Sequence, residues 1–295
     1  MSGTVAVLGV GAMGSRVARR LLAGGLGVSV YNRSPDATVA LQSQGARVAT
    51  TPREAAGGAD VVVAMVTDDD ASRAVWEGEE GALEGLVPGA VAVESSTLTP
   101  TRIRELAARA QARGASFLDA PVVGSRPQAE AGQLVYLVGG DEATLARVRP
   151  VLDLAGSAVH HVGEVGQGTA MKLAVNALFA VQVAALGELL GFLRRSGVDE
   201  ARAAEVLGAL PVLSPAAKGA LASMAARNFA PLFPVALVTK DLRYILEAAT
   251  TGEAELPLSQ AAREVFGRAE AAGYGHEHLA AVARLFGGHG PTRSP

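Results

Sequence analysis

Lys172 and Asn176 are the residues whose types and spacing most clearly suggest chemistry. They stand four apart in GQGTAMKLAVNAL, an apolar stretch with helical periodicity, so both fall on one face of a helix. An ammonium in such surroundings can stabilise negative charge that develops on a substrate oxygen and can donate a proton to it. The alternative is a lysine that extends its ammonium to solvent beside an unrelated asparagine. Lysine is scarce here, since the 26 basic residues include it only at Lys172, Lys218 and Lys240.

A long helix must carry this pair, and the segment from 166 to about 195 predicts one. It is rich in alanine and leucine, contains no proline and ends at Ser196 and Gly197, a stop signal. At 1.5 Å per residue it would be about 45 Å long. We predict no strand after His161. Further helical patterns lie at 200–210, 214–227, 238–249 and 259–272.

The first half of the chain alternates short apolar runs with amphipathic stretches. This alternation predicts a mostly parallel sheet with helices on both faces. We therefore expect an α/β domain at residues 1–163 and an all-helical domain at 164–295, which begins with the long helix. The predicted strands lie at 4–8, 28–31, 61–66, 90–93, 116–118, 134–138 and 158–162, and the predicted helices at 12–23, 101–113 and 142–151.

A glycine motif follows the first predicted strand. In TVAVLGVGAMG, Gly9, Gly11 and Gly14 form GxGxxG between a strand and an amphipathic helix, and a second strand follows near Tyr31. In this context the motif indicates a Rossmann dinucleotide-binding domain. The first glycine permits a tight turn, the second admits the pyrophosphate, and the third allows close packing of helix and strand. The amides of the helix N-terminus then face the phosphates.

The end of the second strand favours NADP(H) over NAD(H). Binders of NAD usually carry an acidic residue there, which accepts from the ribose 2′-hydroxyl. This chain instead has Asn32, Arg33 and Ser34. Arg33 can pair with a 2′-phosphate and stack on adenine, and its neighbours can add hydrogen bonds. The alternative is that Arg33 is a solvated turn residue.

Composition narrows the functional class. Hydrophobic residues make up 49% of the 295, charged residues 19%, and the net charge is −3, so we expect no nucleic-acid partner. The absence of cysteine excludes disulfides, thiolate catalysis and cysteine-ligated metals. No uninterrupted apolar run of membrane-spanning length and no signal-peptide pattern is present, so we expect no membrane association and a cytoplasmic location. We also expect no metal site, because the adjacent Asp68, Asp69 and Asp70 suit helix capping better than convergence on one ion.

Several motifs in order resemble the β-hydroxyacid dehydrogenase family, which includes 3-hydroxyisobutyrate dehydrogenase, tartronate semialdehyde reductase and the glyoxylate/succinic semialdehyde reductases. The likeness covers almost the whole chain. It rests on GVGAMG at 9–14, ESST at 94–97, DAPVVGS at 119–125, GQGTAMKLAVN at 166–176 and FPVALVTKDL at 233–242. The resemblance implies a small carbonyl or hydroxy acid substrate and a homodimer or homotetramer whose helical domains pack together.

The resemblance also assigns roles to residues. It makes Lys172 the catalytic lysine, Asn176 its partner, and Lys240 and Asp241 a pair that closes over the cofactor. The glycine motif, the end of the second strand and the resemblance together predict a set of cofactor-binding residues: Gly9, Gly11, Ala12, Met13, Gly14, Asn32, Arg33, Ser34, Met65, Val66, Thr67, Thr97 and Lys240. The substrate-binding residues are Ser96, Val123, Gly124, Ser125, Lys172, Asn176 and Asp241.

The chain departs from the family at Val123, where many relatives have a serine that binds a substrate carboxylate. Valine cannot donate a hydrogen bond. Either the backbone around Gly124 and Ser125 carries the anion alone, or the substrate is bulkier or less acidic, and Arg126 is a candidate substitute anchor.

Our working hypothesis is hydride transfer from NADPH to the carbonyl carbon, with protonation of the oxygen by Lys172. The reverse reaction would need the neutral amine. One alternative is an imine reductase, which shares the architecture but generally lacks the lysine. The other is a non-catalytic NADPH-binding protein.

Overall fold

The computed structural model describes residues 3–287 and divides into two compact units, Met1–Lys172 and Leu173–Pro295. The first is an α/β unit, and the second is helical. The prediction of a Rossmann domain followed by an all-α domain with a long helix is confirmed.

A single mixed sheet forms the centre of the first unit. Within residues 3–287, its strands are β1 (Thr4–Leu8), β2 (Gly27–Tyr31), β3 (Arg47–Val48), β4 (Val61–Ala64), β5 (Val91–Glu94), β6 (Ser116–Asp119), β7 (Val122–Val123), β8 (Leu134–Gly140) and β9 (Gly156–Gly163). Strands β3, β2, β1, β4, β5 and β6 lie side by side in that order and are parallel. Their carboxyl ends therefore meet at one edge, where ligands of such sheets bind.

The far side of the sheet is where the direction of the strands changes. Strand β8 is antiparallel to β6 and β7, which follow one another along one of its edges. Strand β9 is parallel to β8 on the other edge. The sheet is thus parallel over its first six strands and mixed beyond them.

Helices cover both faces of this sheet. They are α1 (Gly14–Ala23), α2 (Val39–Gln42), α3 (Pro52–Ala56), α4 (Asp69–Trp76), α5 (Pro100–Ala112), α6 (Arg126–Ala131) and α7 (Glu142–Leu152). Alternate residues of the strands point to opposite faces and build a core on each. Valines at Val5, Val7 and Val63 lie on one face, and Ala6 and Ala64 on the other. Burial on both sides explains why these strands are almost continuously apolar.

The second unit packs around the long helix α8 (Gln167–Arg195). The other α-helices of this unit within residues 3–287 are α9 (Glu200–Ala209), α10 (Pro215–Ala225), α11 (Val235–Thr251) and α12 (Pro257–Ala269), followed by a π-helical turn at Glu270–Tyr274 and a 3₁₀ segment at Leu279–Phe286. Its core includes Val183, Leu186, Leu221 and Phe266, which are all almost fully buried.

By length and composition α8 could cross a membrane. Half of its most apolar 18-residue window is buried inside the protein, and residues of α8 such as Val183 and Leu186 belong to the core of the second unit. Lys172, Asn176 and Gln182 interrupt the apolar run, which is why the sequence predicted a long helix here but no segment of membrane-spanning length.

The shortest elements of the first unit were not predicted. Two-residue strands such as β3 and β7 carry no detectable periodicity, and α3 and α6 are about as short as a helix can be. The strand predicted to reach Val66 ends at Ala64, and the residues after it form a loop. The predicted helix at 238–249 begins earlier, at Val235, because Pro234 can precede a first turn without losing a bonded amide.

Candidate active site

The glycine motif forms a tight cradle at the carboxyl end of β1. Gly9 has a φ of 88°, and a Cβ added there would lie 2.5 Å from Met65 O. A Cβ on Gly14 would lie 2.0 Å from Gly9 O, so α1 begins in direct contact with the turn. By contrast, no atom lies within 4 Å of the position that a Cβ on Gly11 would take. The open space over Gly11, beside the start of α1, suits a pyrophosphate.

Asn32 ties the glycine loop to the end of β2. Its Oδ1 accepts from Val10 N at 3.1 Å, and its Nδ2 donates to Ser34 O at 3.0 Å. The amide predicted to bind the cofactor is thus occupied within the protein. Arg33 and Ser34 are exposed next to it, where the sequence predicted a 2′-phosphate contact. Ala12 is exposed and Met13 half-buried beside the cradle.

The loops after β4 and β5 are joined at the same edge. Met65 N donates to Leu8 O at 2.8 Å, and Val66 N donates to Ser96 Oγ at 2.8 Å. Ser96 is 4% exposed, and its hydroxyl donates to Glu94. Ser96 therefore links two loops, although the resemblance predicted a substrate contact. Thr97 is half-buried and Thr67 exposed beside it.

Glu94 is a fully buried carboxyl group at the end of β5. Its Oε2 accepts from Ser72 Oγ at 3.0 Å and Trp76 Nε1 at 2.9 Å, and its Oε1 accepts from Ser96 N at 3.0 Å. Burial raises the pKa of Glu94, while the donors from Ser96, Trp76 and Ser72 oppose the rise.

The segment that contains Val123, where the chain departs from the family pattern, follows β6. Val123 pairs with Val135 of β8, and Gly124 is exposed with a φ of 126°. Ser125 caps α6, and its N–H donates to Gln128 Oε1 at 3.0 Å. One backbone donor proposed for a substrate anion is thus engaged within the loop.

Two charged side chains flank that loop. Arg126 is half-buried, and its Nε is buried without a hydrogen-bond partner among the described residues. Glu130 pairs with Arg16 of α1 at 2.8 Å, which joins α6 to the helix of the glycine motif.

Lys172 lies in the second turn of α8 and is 9% exposed. The start of this helix is fixed to the carboxyl end of β6 by Asp119. The carboxylate accepts from Gly166 N at 2.8 Å through Oδ1 and from Thr169 N at 2.7 Å through Oδ2. Because β6 and β1 are parallel strands of one sheet, the start of α8, which carries Lys172, lies at the same edge of the sheet as the glycine cradle.

The helical unit contains the remaining predicted residues. Asn176 Nδ2 donates to Asp241 Oδ2 at 2.6 Å, and both side chains are buried. Lys240 Nζ lies 3.0 Å from Asp241 Oδ1 and 4.8 Å from the centre of the Tyr244 ring. Asn176, Asp241 and Lys240 therefore form one polar chain within this unit.

The three adjacent aspartates point in different directions. Asp68 caps α4 through Ala71 N, Asp69 accepts from Thr99 N and Oγ1, and Asp70 pairs with Arg73. The predicted capping role is confirmed for Asp68.

Two family models match the chain, one in each half. Residues 4–163 match the NAD-binding domain of 6-phosphogluconate dehydrogenase. Residues 166–286 match the model described as NAD-binding of NADP-dependent 3-hydroxyisobutyrate dehydrogenase. The chain belongs to the β-hydroxyacid dehydrogenase family.

Individual members of the β-hydroxyacid dehydrogenase family align with the chain over almost its whole length. The 3-hydroxyisobutyrate dehydrogenase of Pseudomonas aeruginosa is 32% identical over 293 residues, which cover 96% of this chain and 98% of that protein. Glyoxylate/succinic semialdehyde reductase 2 of Arabidopsis thaliana is 32% identical over 282 residues, 95% of this chain and 79% of that protein. The structure of Mycobacterium tuberculosis 3-hydroxyisobutyrate dehydrogenase with L-serine has a TM-score of 0.88 at 30% identity, covering 97% of this chain and 99% of that one.

This β-hydroxyacid dehydrogenase is therefore an oxidoreductase that acts on CH–OH groups and has an NAD(P)-binding domain. Two of its buried acids, Glu94 and Asp119, received no role from the sequence. Both are the last residues of parallel strands and begin the ESST and DAPVVGS motifs. An acid that ends a buried strand is the signal that could have revealed them.

Proposed function

We propose that this β-hydroxyacid dehydrogenase interconverts a small aldehyde or keto acid and its hydroxy acid with NADP(H), and that Lys172 exchanges the proton. The observation that carries the proposal is the position of Lys172. It is a buried lysine in the second turn of α8, a helix held at the sheet edge that also carries the glycine cradle. In that position Lys172 would supply a proton donor at the sheet edge where we expect the nucleotide to bind.

The chemistry assigned to the chain is proton transfer and charge stabilisation. Bound NADPH would supply the hydride. As the carbonyl oxygen gains negative charge, the Lys172 ammonium stabilises it and donates a proton. The oxidative direction reverses this step, and the neutral amine then accepts the proton of the alcohol.

A preference for NADP(H) is supported by the end of β2. Arg33 is exposed there, and neither neighbour at positions 32 and 34 is a carboxylate. A guanidinium can make paired, charge-assisted hydrogen bonds to a 2′-phosphate, whereas an acidic residue would repel it.

The proposed substrates are short carbonyl acids. Relatives of this chain are named as 3-hydroxyisobutyrate dehydrogenase and glyoxylate/succinic semialdehyde reductase. Val123 stands where many members of the family have a serine, so the chain should differ from those members in its preference among such acids.

The decisive experiment replaces Lys172 with alanine. We expect NADPH oxidation with glyoxylate, succinic semialdehyde and related acids to fall below detection, while the Kd for NADPH stays within about twofold. Lys218→Ala, on α10, is the matched control and should retain full turnover. Substantial turnover by the Lys172→Ala protein would overturn the proposal.

A cyclic imine in the same panel tests the imine reductase alternative. Failure of the wild-type protein to oxidise NADPH with any substrate would favour a non-catalytic role.

We also propose that α8 forms the contact between copies of the chain. Exposed apolar residues recur along it at seven-residue intervals, at Met171, Leu178, Ala185 and Phe192. Leu178 is 64% and Phe192 60% exposed. A seven-residue apolar repeat suits packing of helix against helix, and a two-fold axis would pair the same stripe with itself. The expected assembly is a homodimer or a homotetramer built from such dimers.

A further inference from the structure

The first turn of α8 is held by a buried carboxylate from a distant part of the chain. Asp119 is 0% exposed, and its two oxygens accept from Gly166 N and Thr169 N, 47 and 50 residues further on. A helix usually caps itself with the side chain immediately before it. Here the cap comes from the last residue of β6, so the helix start is registered on the sheet.

Two glycines bring the same turn into backbone contact with the sheet. A Cβ on Gly168 would lie 2.4 Å from Leu137 O and 2.7 Å from Gly139 N. A Cβ on Gly139 would lie 2.4 Å from Asp119 Oδ1. Neither position admits a side chain without separating α8 from β8. The first turn of α8 is therefore fixed, both along the helix axis and in rotation about it, by Asp119, Gly139 and Gly168.

Lys172 follows this turn directly. It is four residues after Gly168 and three after Thr169, so its Cα is one helical turn beyond the two anchored positions. The direction in which its side chain leaves the helix is set by how that turn is held.

We propose that Asp119 is a positioning residue for the reaction, which sets the place of the Lys172 ammonium through the first turn of α8. The inference rests on the proposed function, since it presumes that Lys172 is the proton donor. Burial raises the pKa of Asp119, while the N–H donors of Gly166 and Thr169 oppose the rise and favour its charged form. The carboxyl group also lies at the helix N-terminus, where negative charge is stabilising.

The test compares the aspartates that cap two helices, α8 and α7. Asp119→Asn replaces one acceptor with an amide that faces an N–H donor and should rotate or shift the first turn. A misplacement of about 1 Å at a reacting group can cost about 100-fold in rate. We expect kcat to fall about 10–100-fold, with the Kd for NADPH within about twofold of wild type. Asp141→Asn is the control, because Asp141 caps α7 through Thr144 N at 2.8 Å but holds no helix that carries a catalytic group.

A general loss of structure would lower the Tm and the NADPH affinity together. A positioning role instead predicts a lower kcat with an unchanged Kd for NADPH. Asp119→Ser, which keeps one acceptor oxygen, provides a second variant if the asparagine protein does not fold. Values of kcat within twofold of wild type for either folded variant would overturn the inference, as would a kcat loss matched by an equal loss of NADPH affinity. The Lys172→Ala result separates the two hypotheses. If that protein is inactive and Asp119→Asn is fully active, the inference about Asp119 fails and the proposed function stands.

Discussion

The hydroxyl of Ser96 donates a 2.5 Å hydrogen bond to the buried carboxyl group of Glu94 and accepts another from Val66 N. A residue predicted to touch the substrate thus has both its donor and one acceptor position engaged inside the protein. Together these groups hold the loop after β4 to the end of β5. Arg102 of α5 extends the network, since its Nε donates to Ser72 Oγ at 3.2 Å, and Ser72 donates to Glu94.

Replacement of Glu94 by glutamine should destabilise the first unit. The glutamine amide would face Trp76 Nε1 or the Ser96 donors, which leaves a buried N–H group without an acceptor. Such a loss costs about 1–3 kcal/mol. Denaturant unfolding followed by Trp76 fluorescence measures it, because Trp76 is the single tryptophan and lies against Glu94. Glu84→Gln, which removes an exposed partner of Arg113, is the control and should change stability much less.

The stability difference between those proteins should depend on pH. Because burial raises the pKa of Glu94, ionisation of the folded protein costs free energy that the unfolded chain does not pay. The wild type therefore loses stability relative to Glu94→Gln as pH rises above about 4.5, the ordinary pKa of a glutamate. If the wild type instead gained stability relative to Glu94→Gln as pH rises, the effect of the surrounding donors on the Glu94 pKa would outweigh that of burial.

Arg33→Asp should reverse the cofactor preference. The aspartate can accept from the 2′-hydroxyl of NADH and repels the 2′-phosphate of NADPH. Loss of a charge-assisted hydrogen bond of about 1.5–3 kcal/mol corresponds to about 10–100-fold in kcat/KM for NADPH. The measurement is the ratio of kcat/KM for the two cofactors. Arg19→Asp, an exposed substitution on α1, should leave the ratio unchanged. An unaltered ratio in the Arg33 variant would show that Arg33 does not contact the 2′-phosphate.

His278 should make the helical unit less stable in mild acid. It is buried, and its Nδ1 accepts from Phe233 N at 3.3 Å, so protonation would set two N–H groups against each other. Burial lowers the pKa of His278, and the stability it contributes is therefore present above its unfolded pKa of about 6.5 and lost as pH falls. His278→Asn keeps an acceptor oxygen but does not titrate. The Tm measured from pH 7.5 to 5 should fall less steeply for this variant, and the control His276→Asn, at an exposed position, should follow the wild type. Identical slopes of Tm against pH for all three proteins would show that His278 is not the source of the loss of stability in acid.

Charge on the exposed stripe of α8 should disrupt the assembly. Leu178→Glu combined with Phe192→Glu places two carboxylates where the same stripe of a second copy would pack. Size-exclusion chromatography with light scattering should show a shift towards the monomer. Val212→Glu is the control, since Val212 is 73% exposed but lies outside α8. An unchanged mass for the double variant would place the interface elsewhere.

Patterns within short segments were enough to predict most of the fold. The strands at β1, β4 and β5, the glycine turn and the long helix each follow from side chains that are neighbours in sequence, where periodicity and backbone sterics act locally. For the same reason the spacing of Lys172 and Asn176 was sufficient to place both on one helix face. Segments of two residues, such as β7, have no such pattern and depend on a partner strand.

The tertiary structure decided what the polar side chains contact. Asn176 donates to Asp241, 65 residues away, and Asp119 caps the start of α8 through Gly166, 47 residues further on. Ser96 accepts from Val66 N because β4 and β5 lie side by side. Hydrogen-bond partners are chosen by proximity in space, and the sequence around each residue does not encode which distant segment the chain brings there. The residue types that could do chemistry were thus determined by the sequence, while the groups that hold them in place were determined by the fold.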